Sequence, residues 1–436
     1  MPLFRSMSLL RRIEEYLVYL LLFTLPFQAR LIFFQADWYF SEWQSMSLYG
    51  TDLIILAILL LWFVQKPKIE RLNHADLAVQ AFLGLAILSI FWSDHKAISV
   101  YQSLKLTEFA LLFFYIRYRA FSIVDTNYCF LVLALGGLFQ ALIAIAQFLL
   151  QRSLGLFFLG ESLLSKTLPG VASFFTDSGE KIIRAYGTTP HPNVLAACLI
   201  LSLAAWLALI WRRRNSWYYL GLAVTLFGLY TTFSRVQIGL FVLGIIFFCL
   251  LFRDRRFVFL VITLVVVTTA IFGAIYLPEI QSRLMLSTSD EAVQQRLFYA
   301  DKAIGLEIVW LGSGWGSFVP ELIDSDLYHE ASFYQPVHNI YLLIYAELGL
   351  IGIALFALFL TILSSNFIKS ALRIKKMSMG LVLAIFLISG FFDHFLLTLQ
   401  QGRLAFWLVL GYIASHHHSL PTHSKVGKGA SDVVRS

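Results

Sequence analysis

The sequence predicts an all-α polytopic membrane protein with about 12 transmembrane helices and a large outer loop containing short helices. Three observations predict it. Hydrophobic residues make up 59% of the 436 and charged residues only 14%, too little charge to cover a soluble domain of this size. Apolar runs of the ~20 residues needed to cross a bilayer recur along the whole chain. Basic residues cluster in every second gap between those runs, as they do in cytoplasmic loops. Length alone would suggest two or three soluble domains, but the recurring runs make 1–436 a single membrane domain. The 40 Phe, 19 Tyr and 10 Trp suit lipid-facing surfaces and interfacial belts.

In chain order the predicted spans are 16–34, 51–65, 75–93, 99–116, 127–150, 192–211, 217–233, 237–252, 257–276, 340–363, 379–397 and 403–415. The first follows an Arg-flanked start with no small-residue cleavage site, so it reads as a retained helix rather than a removed signal peptide. In the fourth, Lys105 and Glu108 are three residues apart, share a helix face, and are expected to pair or turn toward the protein interior. The inside set of loops holds Arg5, Arg11 and Arg12; Lys66, Lys68 and Arg71; Arg117 and Arg119; Arg212, Arg213 and Arg214. It continues with Arg253, Arg255 and Arg256; Lys369, Arg373, Lys375 and Lys376; and Lys425, Lys428 and Arg435. This alternation puts both termini in the cytoplasm. It also accounts for the net charge of +7 and excludes nucleic acid as the reason for it. Cys129, Cys198 and Cys249 each lie in an apolar run and read as small buried hydrophobes, with neither metal spacing nor a disulfide framework.

Two outer segments are much longer than the rest, 151–191 and 277–339, and long polar insertions of this kind usually serve function. The second contains a predicted surface helix: Thr288 and Glu291 have capping-box spacing, and Leu297, Ala300, Ile304 and Ile308 follow at helical spacing. The glycines of LGSGWGSF (311–318) then break it. The polar tail, 416–436, is expected to be disordered and cytoplasmic. Its histidines, His416, His417, His418 and His423, fall on the inner side, and no outer Asp/Glu/His set has metal-ligand spacing, so no metal and no cofactor is expected.

Three clusters map to the outer face: RAYGTTPHPN (184–193), where Pro192 and Asn193 suit the first turn of a helix; FSR (233–235), in a tight connection between spans; and HNIYLLIYAELG (338–349), where the large loop re-enters the membrane. An arginine at headgroup level grips phosphate or pyrophosphate through its planar fork of donors, and several converging there would neutralise charge on a leaving pyrophosphate. A histidine beside them can take a proton from an attacking hydroxyl. Each residue also has a plainer reading. Arg184, Arg235 or Arg296 alone could be an interfacial anchor, and His338 with Asn339 could cap a helix. Glu347, Asp393 and His394 fall inside predicted spans, where structural pairing and a direct role are equally open.

The order of RAYGTTPHPN, SR between two spans, QQRLFYADKAI with LGSGWGSF, and HNIYLLIYAELGLIG resembles the O-antigen ligase and polymerase superfamily over residues 184–355. The resemblance implies a C-type, metal-independent, inverting glycosyltransferase of the bacterial inner membrane. It would take a glycan from undecaprenyl pyrophosphate on the periplasmic face and pass it to a sugar hydroxyl of lipid A–core. By motif, Arg235 and Arg296 would bind the pyrophosphate with Arg184 in support, and His338 would be the general base, with Glu347 and Asn339 possible supporting residues. Many members carry a small residue after SR, where this chain has Val236 and Gln237. The early end of the chain after its last span favours a ligase over protein-glycosylating relatives. A polysaccharide polymerase of the same superfamily is the alternative enzyme. A twelve-helix secondary transporter is the alternative from another class, but transporters place their sites near the midplane and often show repeated halves, and neither pattern is visible here.

Overall fold

The computed structural model describes residues 9–35, 40–66, 72–252, 254–284, 291–305, 309–325, 333–368 and 374–415. Within them α1 (Leu9–Thr24) leads to an antiparallel hairpin, β1 (Arg30–Gln35) and β2 (Ser45–Tyr49). Then come α2 (Gly50–Val64), α3 (His74–Leu88), α4 (Lys96–Tyr118) and α5 (Thr126–Leu150). A second small hairpin, β3 (Ser173–Phe175) and β4 (Lys181–Ile183), precedes α6 (Pro192–Arg212), α7 (Ser216–Thr231), α8 (Arg235–Leu251) and α9 (Arg255–Ile275). The large loop holds α10 (Leu277–Leu284), α11 (Glu291–Ile304) and α12 (Phe318–Ser325). The chain then forms α13 (Ile340–Ile368), α14 (Ile374–Ser389), α15 (Phe395–Thr398) and α16 (Gln400–Ala414). Among the described residues five helical stretches are long and apolar enough to cross a membrane: His74–Phe91, Thr126–Leu150, Pro192–Arg212, Arg255–Ile275 and Ile340–Ser365. A helix occupies at least part of each of the twelve predicted spans.

Two predicted spans are corrected. The stretch 16–34 is not one helix: α1 stops at Thr24, and 30–35 is a strand. Pro26 is the reason, because it offers no N–H and pushes the residue before it out of helical geometry. The stretch 379–397 also breaks, since α14 ends at Ser389 and Asp393 and His394 lie in the irregular segment before α15. Thr288, Ile308 and the tail lie outside the described residues, so neither the capping box nor the state of 416–436 is addressed.

Helix α6 is the hub. Nearly all its side chains are buried, against α5, α7, α14 and α16. Small residues permit this: a Cβ on Gly137 of α5 would lie 2.1 Å from the Ser202 hydroxyl of α6, and one on Gly228 of α7 would lie 2.6 Å from the Ala141 methyl. Without a hydrophobic drive between helices in lipid, such close backbone approach is a main source of packing energy. Ionisable groups inside the bundle are paired, as their cost in hydrocarbon requires. Lys105 holds Asp52 at 2.6 Å and Glu108 at 3.1 Å; Arg117 holds Asp76 at 2.9 Å; Arg119 holds Glu14 at 3.2 Å. Cys129 and Cys198 are buried, Cys249 is partly buried, and all three are free thiols.

The glycines of 311–318 do more than break a helix. Helix α13 kinks at Gly349 (φ +63), and the loop before α12 docks into the gap. Ser313 N and Gly314 N donate to the carbonyls of Ala346 and Glu347, each at 2.9 Å, and Leu350 N donates to Val309 O at 2.9 Å. The backbone groups that the kink would otherwise strand are thereby satisfied.

Candidate active site

One end of the bundle holds a cavity of about 780 Å³. Its walls come from the segment before β2, the end of the 151–191 loop with the start of α6, the α7–α8 turn, α10, α11, the segment before α13, and the break between α14 and α15. Arg184, Arg235, Arg296 and His338 all line it. So do His191, Asn193 and Arg283, which the sequence did not single out for the site, and Asp393 and His394, whose role it left open.

Arg184 sits on a turn that two buried glutamines of α5 hold. Gln147 Oε1 accepts from Tyr186 N at 3.0 Å and Gly187 N at 2.8 Å, and Gln140 Oε1 accepts from Thr188 N at 2.9 Å. Gly187 (φ +59) adopts the left-handed backbone this turn needs. The Arg184 guanidinium then donates to Thr232 O and to Asn193 Oδ1, each at 2.7 Å. Asn193 is a hub: its Oδ1 also accepts from Ser234 Oγ at 2.9 Å, and its Nδ2 donates to Asp393 Oδ2 at 2.8 Å. Pro192 opens α6 as expected, with His191 Nδ1 accepting from Asn193 N at 3.2 Å.

Arg235 is presented by a strained turn. Phe233 has φ +45, which is uncommon for a bulky side chain and costs energy. Ring packing against Phe148, Phe174 and Phe272, with centroids 5.4, 4.9 and 5.7 Å away, holds it there. The departure at Val236 and Gln237 is harmless, because both lie within α8, which begins at Arg235. Arg235 Nη1 donates to the backbone carbonyl of Arg283 at 3.0 Å, so the α7–α8 turn and α10 are tied together. The Arg283 guanidinium lies over the Phe174 ring, 5.9 Å from its centroid. Burial, and then the nearby positive charges of Arg283 and Arg235, lower Arg184 to about 9. The cavity is electropositive enough for its cations to disfavour one another.

His338 stacks on Tyr299 of α11, with ring centroids 6.1 Å apart, and meets the His394 ring edge-on at 5.0 Å. Its Nδ1 is buried and has no hydrogen-bond partner among the described residues. Burial lowers its pKa below the ordinary imidazole value; Asp393 opposes that shift and Arg296 adds to it. His338 is therefore neutral near pH 7, the form that accepts a proton. His191 and His394 are also held low by burial, each at about 3. Asp393 behaves oppositely. Burial favours its neutral form, but the imidazolium forms of His394, His338 and His191, which arise only in acid, and the hydrogen bond from the Asn193 amide outweigh that and hold it near 2.

The two supporting residues expected from the motif fall elsewhere. Asn339 caps α13, its Oδ1 accepting from Tyr341 N at 2.9 Å and Leu342 N at 3.1 Å, and it does not line the cavity. Glu347 is buried and does not line the cavity; it lies near Arg403 and the backbone N–H groups of Gly316 and Phe318. It fastens the glycine loop to the kinked helix. Asp393 and His394, which had no obvious partner in the sequence, acquire them here.

Fold and site together define a helical membrane protein with an arginine-rich, histidine-bearing cavity at one end of its bundle. Residues 220–357 match the family model described as O-antigen ligase, in support of the O-antigen ligase superfamily. At that level the match implies glycosyltransferase-like activity on lipid-linked glycans in a membrane. The matched region contains Arg235, Arg283, Arg296 and His338, whereas Arg184, Asn193 and Asp393 complete the cavity from outside it. No curated protein matches the chain.

Proposed function

We propose that the protein is an O-antigen ligase, a metal-independent inverting glycosyltransferase of the bacterial inner membrane. It moves a glycan from undecaprenyl pyrophosphate to a sugar hydroxyl of lipid A–core. The observation that carries this reading is the convergence of Arg184, Arg235, Arg296 and His338, from separate parts of the chain, on one cavity. Every segment lining that cavity falls where the basic-loop alternation assigns the periplasmic side. The twelve helical stretches then make twelve crossings with both termini cytoplasmic, and 151–191 and 277–339 are periplasmic.

In the proposed reaction neutral His338 takes the proton of the acceptor hydroxyl. The oxygen attacks the anomeric carbon from the side opposite the pyrophosphate, and the bond to the pyrophosphate oxygen breaks with inversion. The electron pair goes to that leaving oxygen, where the guanidinium groups of Arg235 and Arg296 stabilise the charge. Arg184, buried and held by Thr232 and Asn193, fixes the floor of the anion site. Arg283, missed in the sequence, joins the set because it lines the same cavity beside Arg184.

The test is His338→Ala, with protein level checked in the same membranes and glycan on lipid A–core measured. Loss of a general base costs about 10²–10⁴ in rate, so ligation should fall to trace levels. Near-wild-type ligation would remove the proposed base. Reconstitution with donor alone separates the sister activity: a lengthened lipid-linked glycan without core acceptor would identify a polymerase.

A further inference from the structure

The same end of the molecule carries an apolar feature that the proposed chemistry does not use. Strand β1 is exposed along most of its length, with Leu31 65%, Phe33 59% and Phe34 42% accessible. A second segment, far away in sequence, meets it. Phe157 and Phe158 are 53% and 75% exposed in the short turn 157–159. The next residue, Gly160 (φ +89), packs so closely on the backbone of Gln28 and Ala29 that a Cβ there would lie 2.3 Å from the Gln28 carbonyl carbon. The turn is thereby locked beside the start of β1. Two outer segments thus bring exposed apolar side chains to one rim, held together where Gly160 meets Gln28 and Ala29.

Three observations say what covers it. Beyond β2 the chain passes directly into the apolar helix α2, whose Leu53, Leu56 and Leu60 are exposed. Among the described residues strand β1 pairs with β2 alone, so its other edge has no neighbouring strand there. An open edge is intolerable within hydrocarbon but acceptable at the headgroup boundary, where water reaches the backbone. Finally, Arg30 stands at the base of the hairpin, bonded to Glu42 at 2.5 Å and the Tyr49 hydroxyl at 3.0 Å. It lies 5.5 Å from the centroid of the Phe40 ring, and Phe40 lines the cavity.

We infer that β1 and the 157–159 turn form a membrane-inserting rim whose occupant is the acyl-chain boundary of the outer leaflet. The rim sets the cavity mouth at headgroup depth. It rests on the membrane character of the chain and not on the glycosyltransferase reading.

The test places a nitroxide at Phe33→Cys and, separately, Phe158→Cys, in the full chain reconstituted in phosphatidylethanolamine/phosphatidylglycerol vesicles. Labelling of the unsubstituted chain is the background. Ser178→Cys, on the exposed turn between β3 and β4, is the aqueous reference. At positions 33 and 158 collisions with oxygen should exceed those with a water-soluble nickel chelate, and at 178 the ratio should invert. If Phe33→Cys fails to fold, Leu31→Cys reads the same strand. Water-like ratios at 33 and 158 would overturn the proposal. Spin–spin broadening at either site would overturn it too, by showing a second copy seated on the rim.

Discussion

Arginines stand at both ends of this bundle, and they are treated in opposite ways. At the end assigned to the cytoplasm, two arginines that turn into the bundle each have a carboxylate: buried Arg117 has Asp76, and partly buried Arg119 has Glu14 with Gln65 beside it at 2.6 Å. At the cavity end four arginines line one space, and among the described residues the carboxylates lining it are Asp393 and Glu42, with Glu42 paired to Arg30. Arg184 is held there by neutral oxygens, of Thr232 and Asn193, which orient its guanidinium without cancelling its charge. The first arrangement pins helices. The second gathers guanidinium groups round one space, where the proposed reaction puts the donor's pyrophosphate. The contrast teaches that the partner's charge, and not the arginine, separates a clamp from an anion site.

The sharpest way to break the comparison is to remove one arginine from each end. Arg235→Ala should lower ligation turnover by roughly 10²–10³, the usual effect of losing one preorganised electrostatic stabiliser, with little change in thermal unfolding in detergent. Arg119→Ala should do the reverse. It leaves Glu14, fully buried, without its cation, and breaking such a pair costs about 3–5 kcal/mol. Folded yield and unfolding temperature should drop while turnover per folded molecule holds. If both substitutions act on the same quantity, the two ends are not distinct.

How much of this was legible in the sequence differs between the two ends. The helices were readable because hydrocarbon demands apolar length, and the pairing of Lys105 followed from its spacing to Glu108, although the second partner, Asp52, came from another helix. Arg184, Arg235, Arg296 and His338 were found through motifs. Arg283 was missed because α10 carries no motif, yet an arginine in an outer segment already runs against the basic-inside pattern and could have signalled it. Asn193 and His191 lay inside a quoted motif and were passed over as helix-start residues, which they also are. Asp393 was named, but its role stayed open because FFDHFLL reads as a continuing span, and only tertiary packing shows that α14 stops at Ser389.

Asn193 gives a smaller and more selective effect. It bonds Arg184, Ser234 and Asp393 together, so it acts on the site by positioning. Asn193→Asp keeps the acceptor for Arg184 but replaces the donor to Asp393 with a second carboxylate. Donor affinity should weaken by about tenfold, the scale of one hydrogen bond to a charged group. Asn193→Gln should fail as well, since an added methylene displaces all three bonds. Equal donor affinity in both variants would show that Arg184 is held well enough by Thr232 alone.

The finest test of the cavity end is its pH dependence. His338 has its pKa lowered by burial, raised by Asp393 and lowered by Arg296. A base must be deprotonated to act, so kcat/KM should fall only as pH drops below the ordinary imidazole value, and activity at pH 6.5 should stay high. The two neighbours then predict opposite displacements. Arg296→Gln removes a cation that disfavours the imidazolium, so the acid limb should move up toward 6.5. Asp393→Asn removes an anion that favours the imidazolium, so the limb should move further down. Both variants will be slower, but the position of a limb is independent of its height. Displacement of both limbs in the same direction would mean that the titrating group is not His338, because an imidazole raised by Asp393 and lowered by Arg296 must answer their loss in opposite senses.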